Sequence, residues 1–130
     1  PWSDVIKVRK AVTEKLKELH KKHNLPGKFL FGSRLSKVYH SGACMYNTIA
    51  MSFKGIEKPE EVFGEIEHEL RKTIIDNGGS ISHHHGVGKL RKDFISDTIS
   101  KGSVDLIKDM KSSRDPKNIF GVRNNIFSDQ

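Results

Sequence analysis

Cysteine is nearly absent from this 130-residue chain: Cys44 stands alone. No internal disulfide can form, which fits a reducing compartment. Free cysteine is among the most buried residue types, so a packing role for Cys44 comes ahead of a reactive thiol. No apolar run approaches the roughly 20 residues needed to span a bilayer. Repeats and low-complexity segments are missing too. With 35% hydrophobic and 30% charged residues, the composition is that of one modest domain around a single core. The scarcity with the most consequence is negative charge. Sixteen acidic residues face 23 lysines and arginines, a formal net charge of +7 with histidine neutral. That excess favours anionic partners: nucleic acid, phospholipid headgroups or phosphorylated small molecules. A basic nucleic-acid-binding module is the weakest of these. The exposed-aromatic pattern of single-strand binders is lacking, and the lysines are spread over predicted helices instead of one groove. The chain opens on Pro1, without methionine, and the expectation is a processed product or a piece of a longer chain.

Periodicity supplies the organisation. Residues 3–24 predict a helix, with Ser3 as N-cap, Asp4 at the positive end of the dipole, and Val5, Val8, Val12, Leu16 and Leu19 as one apolar stripe. "Leu-Pro-Gly" at 25–27 ends it. Two strands follow, over 28–40 and 43–53, with a bulge suggested at Gly32. The second alternates clearly. Met45, Ile49, Met51 and Phe53 point one way, toward a core. Cys44, Tyr46, Thr48, Ala50 and Ser52 point the other, forming a small polar face with one large phenol that suits a cavity wall. A second helix starts at Pro59, carries the stripe Phe63, Ile66, Leu70 and Ile74, and stops at Asn77-Gly78-Gly79. "SISHHH" predicts a short extended strand. A third helix is expected over about 97–112, with a kink or restart near Gly102-Ser103, closed by Asp115-Pro116. The tail "KNIFGVRNNIFSDQ", with Ile119, Phe120 and Ile126, is expected to dock. The fold class is α+β: an antiparallel sheet with helices packed on one face.

The segment "NGGSISHHHGVGKLRKDF" at 77–94 sets three histidines between glycine pairs. In an extended strand neighbouring side chains alternate, so three in a row cannot all reach one ion, although His83 and His85 could share one. No cysteine pair or second histidine pair completes a tetrahedral set, so no metal is assigned. "GVGK" lacks the Ser/Thr of a phosphate loop after Lys89. The bland alternative is a solvated basic strand end. Against it, imidazole is the side chain best suited to moving protons near neutral pH, and three of them are a costly way to build a turn.

"GGSISHHHGVGKLRKDF", then "DPKNIFG" and "RN", together with "SGACMYNTIAMSFKG", resemble the carboxy-terminal part of the alkyldihydroxyacetonephosphate synthases. These are flavin-dependent ether-lipid enzymes of the vanillyl-alcohol-oxidase-type superfamily. The likeness runs in order from about Lys28 onward. It departs at Asn47 and Thr48, where the family has aromatic residues, and at Val122, where it has Asn.

The resemblance implies the C-terminal substrate (cap) domain portion of a two-domain flavoenzyme. Residues 1–130 would be a partial cap domain, inactive alone, with the FAD-binding domain upstream. The implied reaction replaces the acyl chain of acyl-dihydroxyacetonephosphate with a long-chain fatty alcohol, using FAD without net redox chemistry. It implies Tyr46 as proton donor or acceptor, His83, His84 and His85 as needed for activity, and Val122, Arg123, Asn124, Asn125 and Ile126 as substrate or active-site support. No residue of this segment is assigned to cofactor binding. A homodimer on the luminal side of the peroxisomal membrane is also implied. The residues are compatible with these roles. A phenol ordinarily titrates at about 10, so Tyr46 would need imidazoles or a cation beside it. Arg123 could bind a phosphate or carboxylate bidentately. The bland readings are a core tyrosine with a satisfied hydroxyl and a surface arginine. An alternative within the superfamily is an FAD-dependent 2-hydroxy-acid oxidase or dehydrogenase.

Overall fold

A computed structural model describes residues 1–127. The chain divides into two compact units, Pro1–Gly79 and the remainder from Ser80.

In the first unit a single 3-10 turn, Trp2–Asp4, leads into helix α1, Val5–Lys22. Ser3 therefore lies inside that turn and is not the cap; Asp4 takes the capping position without a side-chain hydrogen bond. The predicted stripe is buried at Val8, Val12, Leu16 and Leu19, with Val5 only half-buried. The stop is Asn24, one residue before the predicted breaker, at φ +49°. Its amide bonds Lys21 O, and the Leu25 amide reaches His20 O at 3.1 Å. This is a Schellman end, with Leu25 as its buried apolar follower.

Strand β1, Leu30–Val38, and strand β2, Ala43–Ala50, form an antiparallel hairpin, the two-stranded sheet of this unit. Gly32 pairs with Thr48 in regular register, so the bulge is not there. It lies at Ser36, the residue left out between Leu35↔Met45 and Lys37↔Cys44, whose hydroxyl donates to Cys44 O at 3.3 Å. The hairpin closes with Tyr39 N donating to Gly42 O at 2.8 Å. A Cβ on buried Gly42 would come within 3.1 Å of the Pro1 backbone, and the Trp2 indole donates to Tyr39 O at 3.0 Å. The N-terminal turn thus grips the hairpin end, and only glycine allows the close approach.

Helix α2, Pro59–Asp76, begins with proline at its first turn and Glu60 and Glu61 behind it. It ends in a second Schellman motif: Gly78 N to Ile75 O at 2.9 Å and Gly79 N to Ile74 O at 2.8 Å. Gly78 has φ +88°, and a Cβ there would meet Asp4 Oδ2 at 2.7 Å. Ile66 and Leu70 are buried as expected. Phe63 is 39% exposed, resting edge-on against Phe53 at 6.1 Å instead of entering the core. Thr73 is buried in the last turns, its hydroxyl returned to Glu69 O.

These parts share one core. Val8, Val12, Leu16, Leu19, Leu25, Ile66 and Leu70 are packed by Phe29, Phe31, Met45, Ile49, Met51 and Phe53. Helices α1 and α2 therefore cover one face of the hairpin, which is the predicted α+β layering.

The second unit differs from expectation in two places. "SISHHH" is not a strand; His83–His85 run through successive bends. The predicted third helix is split. A 3-10 helix occupies Lys92–Asp97, and α3 spans Lys101–Arg114. The break comes at Ser100, extended at φ −66°, ψ 154°, whose hydroxyl accepts the Ser103 amide at 3.2 Å. That N-cap fixes the start near the predicted restart. Phe94 and Ile126 are buried. Of the tail, Asn125–Phe127 forms a short 3-10 turn; the expectation for Ser128, Asp129 and Gln130 lies outside the described residues. Among the described residues no helix is long and apolar enough to cross a membrane.

Leu16 and Ile66 have no exposed surface. Leu16→Ala should cost about 2–5 kcal/mol. Phe63→Ala should cost well under half as much, because Phe63 keeps much of its surface in water. Denaturant midpoints of the two variants at equal m-value check this ordering.

Candidate functional site

The predicted site residues are distributed over both units: Tyr46 belongs to the first, the triplet and the tail segment to the second. Tyr46 lies on the hairpin face opposite the core. The pairs Leu30↔Ala50, Gly32↔Thr48 and Arg34↔Tyr46 share that face, and Phe31↔Ile49 and Leu35↔Met45 share the other. Ser33 and Asn47, polar on the core side, satisfy each other at 2.7 Å. The second strand's predicted division into a core face and a small polar face holds. Cys44 is buried, Tyr46 is half-buried, and Thr48 and Ala50 are exposed.

Sequence reading missed Arg34. Its guanidinium carbon sits 5.3 Å from the Tyr46 ring centroid, a cation–π contact between directly opposed residues. Only strand register could have exposed the pairing, because twelve positions separate the two residues in the chain.

In the second unit the bends bring consecutive imidazoles together. His83 Nδ1 and His84 Nδ1 are 3.0 Å apart. The His84 and His85 ring centroids are 4.2 Å apart at 61°. An extended strand would have sent these neighbours to opposite faces, so the argument against a shared ion from strand alternation does not apply here. The 3.0 Å contact needs one ring carrying its proton on Nδ1 and the other offering a lone pair. Such a pair can pass a proton along the row.

The same unit joins the histidine loop to the tail. Asn125 N donates to Gly88 O at 3.1 Å, three residues after the triplet. A Cβ on Gly88, at φ +55°, would lie 3.9 Å from Asn124 Oδ1. Gly121–Asn124 is a turn closed by Asn124 N to Gly121 O at 3.0 Å, with Arg123 at φ +59°. Asn125 follows at φ +56° and accepts the Ile126 amide on its own side chain at 3.0 Å. Asparagine tolerates this region; arginine there is strained. Val122 and Arg123 are exposed, Asn124 and Asn125 half-buried and Ile126 buried, so Ile126 anchors the segment.

Asp115 holds the loop that leads into it. Its carboxylate pairs with Lys111 and accepts the amides of Ile119 at 2.9 Å and Phe120 at 2.8 Å. Lys111 also donates to Asn118 Oδ1 at 2.9 Å and lies 5.6 Å from the Phe127 ring centroid. The Lys111 ammonium first, then the two amides, holds the Asp115 carboxyl down at about 2. The Asp-Pro pair therefore does more than close α3: it shapes the next five residues. With their amides turned to Asp115, Ile119 and Phe120 keep their side chains exposed, contrary to the expectation that they dock.

The family described as FAD linked oxidases, C-terminal domain, matches residues 1–124. The chain is 39% identical over 124 residues to an alkyldihydroxyacetonephosphate synthase of Caenorhabditis elegans, covering 95% of this chain and 21% of that protein. It is 30% identical over 91 residues to an alkyldihydroxyacetonephosphate synthase of Dictyostelium discoideum, covering 70% and 15%. A glycolate oxidase subunit of Bacillus subtilis (strain 168) is 33% identical over 65 residues, covering 50% and 13%. The chain thus spans about a fifth or less of each relative's length. FAD is the cofactor of the matched family. Gly32, Thr48 and Ala50 leave a shallow surface, since a Cβ on Gly32 would meet nothing nearer than Thr48 O at 4.0 Å. No glycine-rich pyrophosphate cradle lies among the described residues of the hairpin.

Asp115 has a folded value of about 2 against its usual 3.8. Its contribution to loop order should be fully present above about pH 4 and lost as pH falls through about 2. Hydrogen exchange at the Ile119 and Phe120 amides should accelerate, relative to intrinsic rates, across that window. Asp115→Asn should remove the pH dependence and lower protection at neutral pH.

Proposed function

The chain belongs to the C-terminal domain family of FAD-linked oxidases, and from that premise we propose that the full-length protein is an alkyldihydroxyacetonephosphate synthase. It replaces the acyl chain of acyl-dihydroxyacetonephosphate with a long-chain fatty alcohol, forming the ether bond of ether lipids. It acts as a homodimer at the luminal surface of the peroxisomal membrane. This segment is part of its substrate-side cap domain, with the FAD-binding domain elsewhere in the full-length chain. The segment alone is inactive.

The observation that carries the reading is Tyr46 on the open, small-residue face of its strand, directly opposed to Arg34. In the exchange one C–O bond to a carboxylate breaks and one to an alcohol oxygen forms, so the incoming alcohol must give up a proton. Tyr46 accepts that proton as its own passes to the departing carboxylate, so a fatty acid leaves. His83, His84 and His85 carry protons to and from the reaction, with the His83 and His84 rings in hydrogen-bond contact through their Nδ1 atoms. Val122, Arg123, Asn124, Asn125 and Ile126 serve as substrate or active-site support. FAD, when bound, supplies an electron-accepting ring system with no net change of oxidation state.

A second reading, an FAD-dependent oxidase of a 2-hydroxy acid, is favoured by the match to the glycolate oxidase subunit. Two measurements on the full-length protein separate them. Tyr46→Phe should lower acyl-for-alkyl exchange by at least ~10²-fold while leaving FAD bound; unchanged turnover removes Tyr46 from the chemistry. Anaerobic addition of a 2-hydroxy acid should leave the flavin spectrum oxidised, and bleaching would establish the oxidase instead.

A further inference from the structure

The bulge at Ser36 has a steric consequence for charge. Without it, Ser36 would oppose Cys44, and Lys37 would point to the core side of the hairpin. With it, Lys37 opposes Cys44 and shares a face with Arg34 and Tyr46. Both cations are exposed, and neither makes an ion pair among the described residues. The local sequence explains why. From Lys28 to Ile56 the chain contains no Asp or Glu, while Lys28, Arg34, Lys37 and Lys54 all lie in that stretch. On the helices of this unit some cations do find carboxylates, as in Lys15–Glu18, Lys22–Glu65 and Arg71–Glu67. The hairpin is therefore a local concentration of uncompensated positive charge beside one phenol.

The way Arg34 is held matters as much as its charge. Its guanidinium carbon lies 5.3 Å from the Tyr46 ring centroid. Its N–H groups, which can bind oxyanions as a fork, meet no carboxylate in an ion pair among the described residues. The contact holds the side chain beside the ring, lowering the entropy lost when an anion binds.

We propose that Arg34 and Lys37 form an oxyanion-binding pair that seats the anionic group of the substrate beside Tyr46. The ligand class is a phosphate monoester or a carboxylate. This rests on the reading of Tyr46 as the proton-transferring residue. Arg34 receives the oxygens along its fork, and Lys37 adds a point charge from the bulged position.

The test uses the full-length, FAD-loaded protein and the variants Arg34→Met, Lys37→Met and Arg34→Lys, each checked for fold by circular dichroism and for flavin content. Inorganic phosphate and acetate are titrated by calorimetry, and KM is measured for the phosphate-bearing and alcohol substrates separately. Arg34→Met should weaken anion binding and raise the KM of the anionic substrate by about ten- to a hundredfold, with the alcohol KM unmoved. Lys37→Met should do the same more weakly, and Arg34→Lys should fall between. Loss confined to phosphate identifies a phosphate monoester; loss confined to acetate identifies a carboxylate. Unchanged isotherms in folded variants overturn the proposal. So does a fall in kcat with anion binding intact, which would make Arg34 only a prop for the Tyr46 ring. Calorimetry needs no turnover, so wild-type protein that lacks alkyl exchange refutes the transferase while leaving the anion site open to measurement.

Discussion

The register between Leu30–Val38 and Ala43–Ala50 is the constraint on which the chemistry of the first unit depends. Side chains alternate with period two, so a slip by one residue would turn Tyr46 into the core and Met45 and Ile49 into water. The slip is opposed by the apolar set that packs the inner face against α1 and α2. Burying the core defines where the phenol stands. The same register opposes Arg34 to Tyr46, and one unpaired residue, Ser36, then re-aims Lys37.

The second unit is organised differently. It buries few apolar side chains, Phe94 and Ile126 among them. Much of its local order comes from polar groups satisfying backbone. Asp115 gathers two amides and an ammonium, Ser100 caps α3, and Asn125 bonds both Gly88 and its own neighbour. The Asp115 bonds are charge-assisted and the others neutral, and all of them set the local backbone direction. They shape the loop behind the histidines and the turn that carries Arg123. The left-handed conformation of Arg123, a residue poorly suited to it, is the sort of local cost that persists where the surroundings over-determine the backbone.

Legibility in the sequence followed the range of the interaction. The α1 stripe and both apolar faces of α2 and β2 were readable because helix and strand periods repeat over many residues. Phe63 matched the stripe's spacing yet stays partly exposed, since spacing gives a direction but not whether a neighbour lies there to cover it. The ends of α1 and α2 were readable to within a residue or two, whereas the third helix, expected from about 97, begins at Lys101. "Leu-Pro-Gly" marked the end of α1, while the αL residue that makes it is Asn24. The bulge was placed at Gly32 because glycine is the usual sign. It sits at Ser36, which carries no such sign. "SISHHH" failed as a strand because a strand needs a partner, and bends serve imidazole contacts instead.

By itself the sequence determined the order of elements, the buried stripes, the two-faced second strand and the family to which the segments belong. These follow from covalent periodicity and from residue types whose chemistry is local. Tertiary structure alone decided that Arg34 lies over Tyr46, that Lys37 joins their face, and that Asn125 closes onto Gly88. Each joins residues from separate stretches of chain, and only packing and hydrogen bonding across those stretches select one register, one bulge and one docking point from the many that the local chain allows.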